Sequence, residues 1–195
     1  MPSRPSALHF TPDPDANRLL ARDPLALMLG MLLDQQVTME SAFVAPARLR
    51  ERLGGELDAG AIAAMDLADL EAVFKERPAL HRFPGSMAKR TQELCAHLVA
   101  EHGGRADAVW KRVPSGDALF ARVKALPGYG NDKARIFVGL LGKRLGIQPQ
   151  GWETVAADWK SIADVDSFER IAEIRAAKQA MKQAAKAAKA SSARS

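Results

Sequence analysis

Two helical patterns meet at Leu126-Pro127-Gly128-Tyr129-Gly130-Asn131-Asp132-Lys133-Ala134. Pro127 fixes its own φ, and the two glycines tolerate the positive φ values that a tight turn requires. The sequence therefore predicts a helical hairpin within residues 115–146. Apolar residues recur at helical spacing on both sides of the turn, before it at Leu119, Phe120 and Val123 and after it at Phe137, Leu140 and Leu141.

The turn has the features of a phosphate-binding site. Asn131 is expected to cap the second helix, so that the N–H groups of residues 130–133 point outward from the positive end of the helix dipole. Residues 111–144 contain eight basic and two acidic side chains, whereas residues 56–76 contain six acidic and one basic. In the alternative interpretation, the turn only joins two packed helices. In the DNA-binding interpretation, the contacts come from Leu126, Pro127, Gly128, Tyr129, Gly130, Asn131 and Lys133.

The whole chain is predicted to be all-α, because helical spacing extends over nearly all of it and no alternating pattern indicates a strand. A helix is expected to begin at Asp23-Pro24 and to end near Gln36. Thr38 can cap the next helix, which Pro46 is expected to kink or divide. The predicted organisation is an N-terminal extension over residues 1–22, one domain over residues 23–175 and a flexible basic tail over residues 176–195.

Composition excludes several classes of protein. The one cysteine, Cys95, cannot form an intramolecular disulfide or supply a four-cysteine zinc or iron–sulfur site. No apolar run approaches the roughly 18 residues of a membrane-spanning helix, and the N-terminus lacks the apolar core of a secretory signal, so a cytoplasmic location is expected. The formal charge is +5, and residues 176–195 carry five basic side chains and no acidic one. The excess charge therefore lies in the tail.

Together with a second motif, the turn resembles that of the helix-hairpin-helix DNA glycosylases, a family that includes endonuclease III, adenine glycosylase and the alkyladenine enzymes. Residues 126–134 resemble the family's L-P-G-V-G-x-K-T-A hairpin, and Leu32-Leu33-Asp34-Gln35-Gln36-Val37-Thr38 resembles its L-L-x-x-Q-x-[ST] helix end. The resemblance covers residues 23–175. It implies a two-lobed all-α fold with duplex DNA across the cleft between the lobes.

The resemblance also implies roles for individual residues. Gln36 matches the glutamine that enters the DNA stack beside the extruded base. Asp132 stands where bifunctional members carry a Schiff-base lysine, so no lyase activity is expected. Glu153 matches the family's catalytic aspartate, and Asp158 is the other candidate carboxylate; a surface salt bridge is the alternative for each. Because Cys95 is alone, no iron–sulfur cluster is expected, and no other cofactor or metal is predicted.

Trp152 and His81 are the candidates for the pocket of the extruded base, with core packing as the alternative for Trp152. Trp159 is assigned to the core, with stacking on an extruded base as its alternative. The predicted function is that of a monofunctional DNA glycosylase, acting as a monomer in the nucleoid on duplex DNA with a damaged or mispaired base. One alternative is a non-catalytic protein that binds damaged or distorted DNA. Another is a protein-interaction scaffold in which the turn is purely structural.

Overall fold

The computed structural model describes residues 5–192, apart from the side chains of residues 178, 182 and 185–192. Within that range every regular element is helical, which confirms the predicted all-α class. Three short 3-10 helices lie at Ala106–Val109, Ile162–Asp164 and Phe168–Arg170. The α-helices are α1 (Pro14–Arg22), α2 (Pro24–Leu33), α3 (Met39–Arg52), α4 (Ala59–Ala64), α5 (Leu67–Lys75), α6 (Pro84–His102), α7 (Gly116–Lys124), α8 (Asn131–Leu145), α9 (Trp152–Val155) and α10 (Ile171–Ser192).

Side-chain caps fix where most of the N-terminal helices begin. The Asp23 carboxylate accepts hydrogen bonds from the N–H groups of Leu25 and Ala26, so α2 begins at Pro24 as predicted. Thr38 caps α3, which also confirms a prediction. Pro46 lies inside α3 and does not divide it. The helix is continuous from Met39 to Arg52.

Helix α2 is the centre of the molecule. Every residue after Pro24 is buried, as expected for a helix that is apolar on all sides. It packs against α1, α3, α6 and the 3-10 helix at Ala106–Val109. Gly30 allows α3 to come close, since a Cβ atom there would lie 2.6 Å from Cδ1 of Phe43. The position of α2 therefore determines the positions of the elements around it.

The C-terminal elements pack around α8. The indole ring of Trp152 packs so closely against α8 that a Cβ atom at Gly142 would be 2.3 Å from it. Where α7 begins, the Gly116 N–H donates to the Gln150 carbonyl at 2.8 Å. The backbone of α10 is helical to Ser192, so the helix continues well into the predicted tail that begins at residue 176. The flexibility of residues 176–195 stays a prediction, and residues 193–195 lie outside the described part of the chain.

Replacing Gly142 with Ala is expected to destabilise the fold by about 1–3 kcal/mol, because the new methyl group overlaps the Trp152 ring. Gly139→Ala, three residues earlier on α8, is the matched control. A Cβ atom there meets its nearest neighbour, Cβ of Ala163, at 3.4 Å, so the higher helix propensity of Ala offsets any cost. Urea unfolding measures both; equal unfolding midpoints for the two variants would contradict this packing.

Candidate nucleic-acid interface

The hairpin between α7 and α8 is a tight turn that depends on one of its two glycines. Gly128 has φ +82°, and a Cβ atom there would lie 2.3 Å from Cδ1 of Leu32 in α2. Gly130 has φ −73° and is the N-cap of α8, so of the two turn glycines only Gly128 adopts a positive φ. A Cβ atom at Gly130 would have no neighbour within 4 Å among the described residues. Asn131 is the first residue of α8 rather than its cap, and no side chain caps this helix.

Two side chains of the hairpin bind backbone carbonyls of α2, Tyr129 in the middle of the helix and Lys133 at its C-terminal end. The Lys133 ammonium donates to the carbonyls of Met31 at 2.6 Å and Leu32 at 3.0 Å. The Tyr129 hydroxyl donates to the carbonyl of Met28 at 2.7 Å. The last carbonyls of a helix lack partners within the helix and carry its negative dipole end, so a cation there is stabilising. These bonds hold the turn against α2.

This packing changes the contacts expected of the hairpin. Tyr129 is only 3% exposed, and its burial raises the pKa of the phenol well above its usual value. Lys133 directs its ammonium to α2, so both side chains position the turn instead of presenting a phosphate contact. Leu126 is buried as well. The exposed part of the turn consists of Gly128, Gly130, Asn131 and Asp132, with Pro127 half-buried.

The two glutamines after α2 are in different environments. Gln35 is engaged at both ends of its amide: Nε2 donates to the Leu32 carbonyl at 2.8 Å, and Oε1 accepts from Arg90 at 2.6 Å. Gln36 is exposed and has φ +56°, a backbone conformation that is unusual outside glycine. Strained residues of this kind concentrate at functional sites. Gln36 is therefore the glutamine that is presented outward.

His81 supports the loop that carries Gln36. Its Nδ1 accepts from the Phe83 N–H at 3.0 Å, so Nε2 bears the proton and donates to the Gln35 carbonyl at 2.9 Å. Burial lowers the pKa of His81, with the nearby positive charges of Arg82 and Lys133 acting in the same direction. The ring is 4% exposed and both of its nitrogens are bonded. His81 therefore shapes the loop, and it does not offer a nitrogen to a bound base.

A cavity of about 530 Å³ opens beside the first turns of α8. Arg175 of α10 lies on its edge and pairs with Glu40 at the start of α3, directly after the loop that contains Gln36. The ring of Trp159 has the Arg135 guanidinium 4.7 Å from its centroid. The cavity is thus an aromatic and apolar recess close to the hairpin, lined among others by Asp132, Ile136, Trp159, Arg175, Gln179 and Met181.

The structure reverses the environments that the sequence suggested for the two tryptophans, since Trp152 is buried and Trp159 lines the cavity. Trp152 is 8% exposed and packs on Gly142, so core packing, the alternative for this residue, describes its position. Trp159 is half-buried and lines the cavity, although the sequence assigned it to the core. The cavity residues of α10, Arg175, Gln179 and Met181, were not recognised from the sequence. The sequence gives little indication that these residues lie together, because only Arg175 and Gln179 have the four-residue spacing that places two side chains on one face of a helix.

The candidate carboxylates are separated by the structure. Glu153 is exposed in the first turn of α9 and makes no hydrogen bond or ion pair with any residue of the described range. Asp158 is exposed and pairs with the guanidinium of Arg135 at 3.2 Å, which resembles the surface salt bridge considered as its alternative. Asp132, at the start of α8, is the carboxylate that lines the cavity within the described residues.

The residues of this chain do not fit an iron–sulfur cluster. Cys95 is the single cysteine and is fully buried in α6, where burial raises the pKa of its thiol to about 12. Elsewhere in residues 5–192, no group of three or more His, Cys, Asp or Glu side chains is arranged to hold a metal ion. Over the same residues, no helix is both long and apolar enough to cross a membrane.

The fold is that of an all-helical protein in which a glycine-containing hairpin joins α7 and α8. The chain matches the model for the HhH-GPD superfamily base excision DNA repair protein over residues 29–191, and it therefore belongs to that family. It is a base excision DNA repair protein, and its partner is DNA. A search of curated proteins found no match to this chain.

Replacing Lys133 with Met is expected to destabilise the protein by about 1–3 kcal/mol, because the Met31 carbonyl loses its donor while the side chain keeps its length. Lys124→Met, at the exposed end of α7, is the control and should change stability by less than about 0.5 kcal/mol. Urea unfolding monitored by circular dichroism gives both values. A Lys133→Met protein as stable as wild type would show that these bonds do not hold the hairpin.

Proposed function

We propose that this protein is a monofunctional DNA glycosylase that hydrolyses the N-glycosidic bond of a damaged or mispaired base in duplex DNA. The family to which the chain belongs acts in base excision DNA repair. The observation that carries the proposal is the cavity beside the hairpin, because a base must leave the duplex before the bond to its sugar can be reached. A protein monomer is the proposed active form.

The exposed edge of the hairpin is the proposed grip on the DNA strand. The first N–H groups of α8 have no partners inside the helix, and Gly130 leaves open space in front of them. A phosphate oxygen fits such a helix start without reading the base sequence. Gln36, exposed at the end of α2, is proposed to enter the stack that the extruded base leaves.

The cavity is the proposed site of the extruded base. Trp159 offers a flat ring for stacking, and Ile136 and Met181 add apolar walls that exclude water. Gln179 lines the same cavity with an amide that can both donate to and accept from a base edge. In this proposal, these residues line the pocket of the extruded base in place of Trp152 and His81, the candidates from the sequence.

The chemical step needs a carboxylate near the sugar. As the bond between C1′ and the base breaks, its electron pair leaves with the base nitrogen, which takes up a proton, and positive charge develops on the sugar. A carboxylate stabilises that charge and accepts the proton of the water whose oxygen bonds to C1′. Glu153 and Asp158 are the proposed catalytic residues, and Asp132 is added to them because it lines the cavity.

We also propose that the protein acts without lyase chemistry and without an iron–sulfur cluster. Asp132 has no amine to form a Schiff base, and the amine of Lys133 is directed to the carbonyls at the end of α2. A second candidate function, binding of damaged or distorted DNA without catalysis, is favoured by one observation: the Asp158 carboxylate is already paired with Arg135.

Gly130→Ala is expected to weaken binding to duplex DNA by about tenfold, the loss of roughly one charge-assisted hydrogen bond, because the methyl group fills the space in front of the free N–H groups. Its stability should stay close to that of wild type, since φ at this position is −73°. Gly128→Ala is the contrast, because it also strains the fold. Fluorescence anisotropy with a labelled duplex measures the affinity; unchanged binding by a folded Gly130→Ala protein would contradict the proposed grip.

A panel of duplexes tests catalysis and identifies the carboxylate. The duplexes carry uracil, hypoxanthine, alkylated purines, oxidised guanine or a mismatch, and the proteins are wild type, Glu153→Gln, Asp158→Asn and Asp132→Asn. We expect wild type to release one class of base, and the variant of the catalytic carboxylate to lose at least about a hundredfold in rate while still binding an abasic analogue. Borohydride should trap no covalent adduct.

The controls separate the two candidate functions. If wild type releases no base yet binds an abasic duplex more tightly than an undamaged one, the non-catalytic function is correct. A trapped adduct would contradict the proposed absence of lyase chemistry. Full activity in all three variants would show that the carboxylate lies elsewhere in the chain.

A further inference from the structure

A second cavity, of about 580 Å³, is lined by cations and lies outside the site described above. Its lining residues are His102 at the end of α6, Arg105, Ala108, Lys111 and Arg112. Three of these side chains carry a full positive charge, and none is acidic. A concave surface with charge of one sign concentrates ions of the opposite sign.

Local carboxylates only partly neutralise these cations. Asp107 pairs with Arg105 at 3.3 Å and also with Lys111, so one carboxylate is shared between two cations. Arg112 is exposed and has no ion pair or side-chain hydrogen bond with the other described residues. The histidine adds no charge at neutral pH, since burial and the neighbouring His97 lower the pKa of His102. Positive charge is therefore left facing the solvent.

The backbone at this cavity is also unusual. Arg112 has φ +53°, one of two non-glycine residues with positive φ in the described chain, and the other is Gln36. A long side chain rarely adopts this conformation, and where it persists the surroundings enforce it. Here the enforced conformation places a cation at the cavity rim.

The segment that carries the cavity is hydrogen-bonded to α7, the first helix of the hairpin. Arg122, near the end of α7, donates to the carbonyls of Ala108 at 3.5 Å and Lys111 at 3.3 Å. Arg122 precedes Leu126, where the turn begins, by four residues, about one helical turn. The segment with the basic side chains is thus fixed to the helix that leads into the proposed DNA grip.

We infer that this cavity, with Arg105, Lys111 and Arg112, is a second phosphate-binding site that holds duplex DNA beyond the nucleotide gripped by the hairpin. The inference rests on the proposed DNA contact at the hairpin and extends it. Charge complementarity selects the occupant, because the family of this protein acts on DNA and the DNA backbone is a polyanion. The contact is independent of base sequence, since phosphates carry no base information.

The double variant Lys111→Ala, Arg112→Gly tests the site. Both side chains are exposed, and glycine tolerates the positive φ at position 112, so the urea unfolding midpoint should not change. Lys75→Ala is the matched control: Lys75 is also exposed, but it pairs with Glu71 at 2.6 Å within the acidic segment 56–76. The Kd for a labelled duplex is measured at several salt concentrations for wild type and both variants.

The double variant is expected to bind duplex DNA about tenfold more weakly than wild type at low salt. Its slope of log Kd against log salt should fall by about 1.8, corresponding to about 0.9 for each lost phosphate contact. The loss should be equal for undamaged and abasic duplexes, and Lys75→Ala should bind like wild type. Unchanged affinity and slope in the double variant would overturn the inference, as would a loss seen only with the abasic duplex.

Gly130→Ala, measured in parallel, separates this inference from the proposed function. If Gly130→Ala loses affinity and the double variant does not, the hairpin contact stands and the second site is wrong. If the double variant loses affinity and Gly130→Ala does not, the second site stands and the proposed hairpin contact is wrong.

Discussion

The surface proposed to meet DNA depends on hydrogen bonds to backbone carbonyls of α2. The carbonyls of Met28, Met31 and Leu32 accept bonds from the hydroxyl of Tyr129 and the ammonium of Lys133. The Met31 carbonyl lies in the last turn of α2, where backbone carbonyls lack partners within the helix and carry a partial negative charge of about half an electron, and the Lys133 ammonium is its donor. The same bonds that satisfy α2 therefore hold the hairpin in its place.

This attachment brings separate parts of the chain to one surface. Gln36 follows α2 directly, and His81 fixes the carbonyl before it, so the loop and the hairpin share α2 as their support. The cavity is lined by Asp132, next to Lys133, and by Arg175 of α10, and Arg175 also pairs with Glu40 at the start of α3. A strand held at the hairpin would thus have the proposed base cavity and the outward glutamine on a common rigid frame.

Neighbouring residues in the sequence were sufficient to predict the helices and the turn. The start of α2 could be predicted because the capping residue, Asp23, is adjacent in sequence to Pro24, the first residue of the helix. The turn could be predicted because it depends on the φ angle of one glycine, Gly128. The expected division of α3 at Pro46 does not occur, since tertiary packing holds α3 together across a residue that would interrupt an isolated helix.

Roles that depend on distant partners could not be predicted in this way. Lys133 has the spacing of a phosphate contact, but its acceptors lie 101 and 102 residues earlier in the chain. Trp152 is buried because Gly142 on another helix makes room for its ring, and Trp159 faces a cavity that α10 completes. In each case the sequence shows the residue type, and only the fold shows what stands opposite it.

The central claim is that α2 presents the hairpin and Gln36 to DNA as one unit. It is tested most directly by the amide resonances of Gly130 and Gln36 in an NMR titration with a duplex that contains a tetrahydrofuran abasic site. The account predicts that both resonances shift and give the same dissociation constant. A shift at Gly130 with none at Gln36, or at neither residue while the duplex binds, would contradict it.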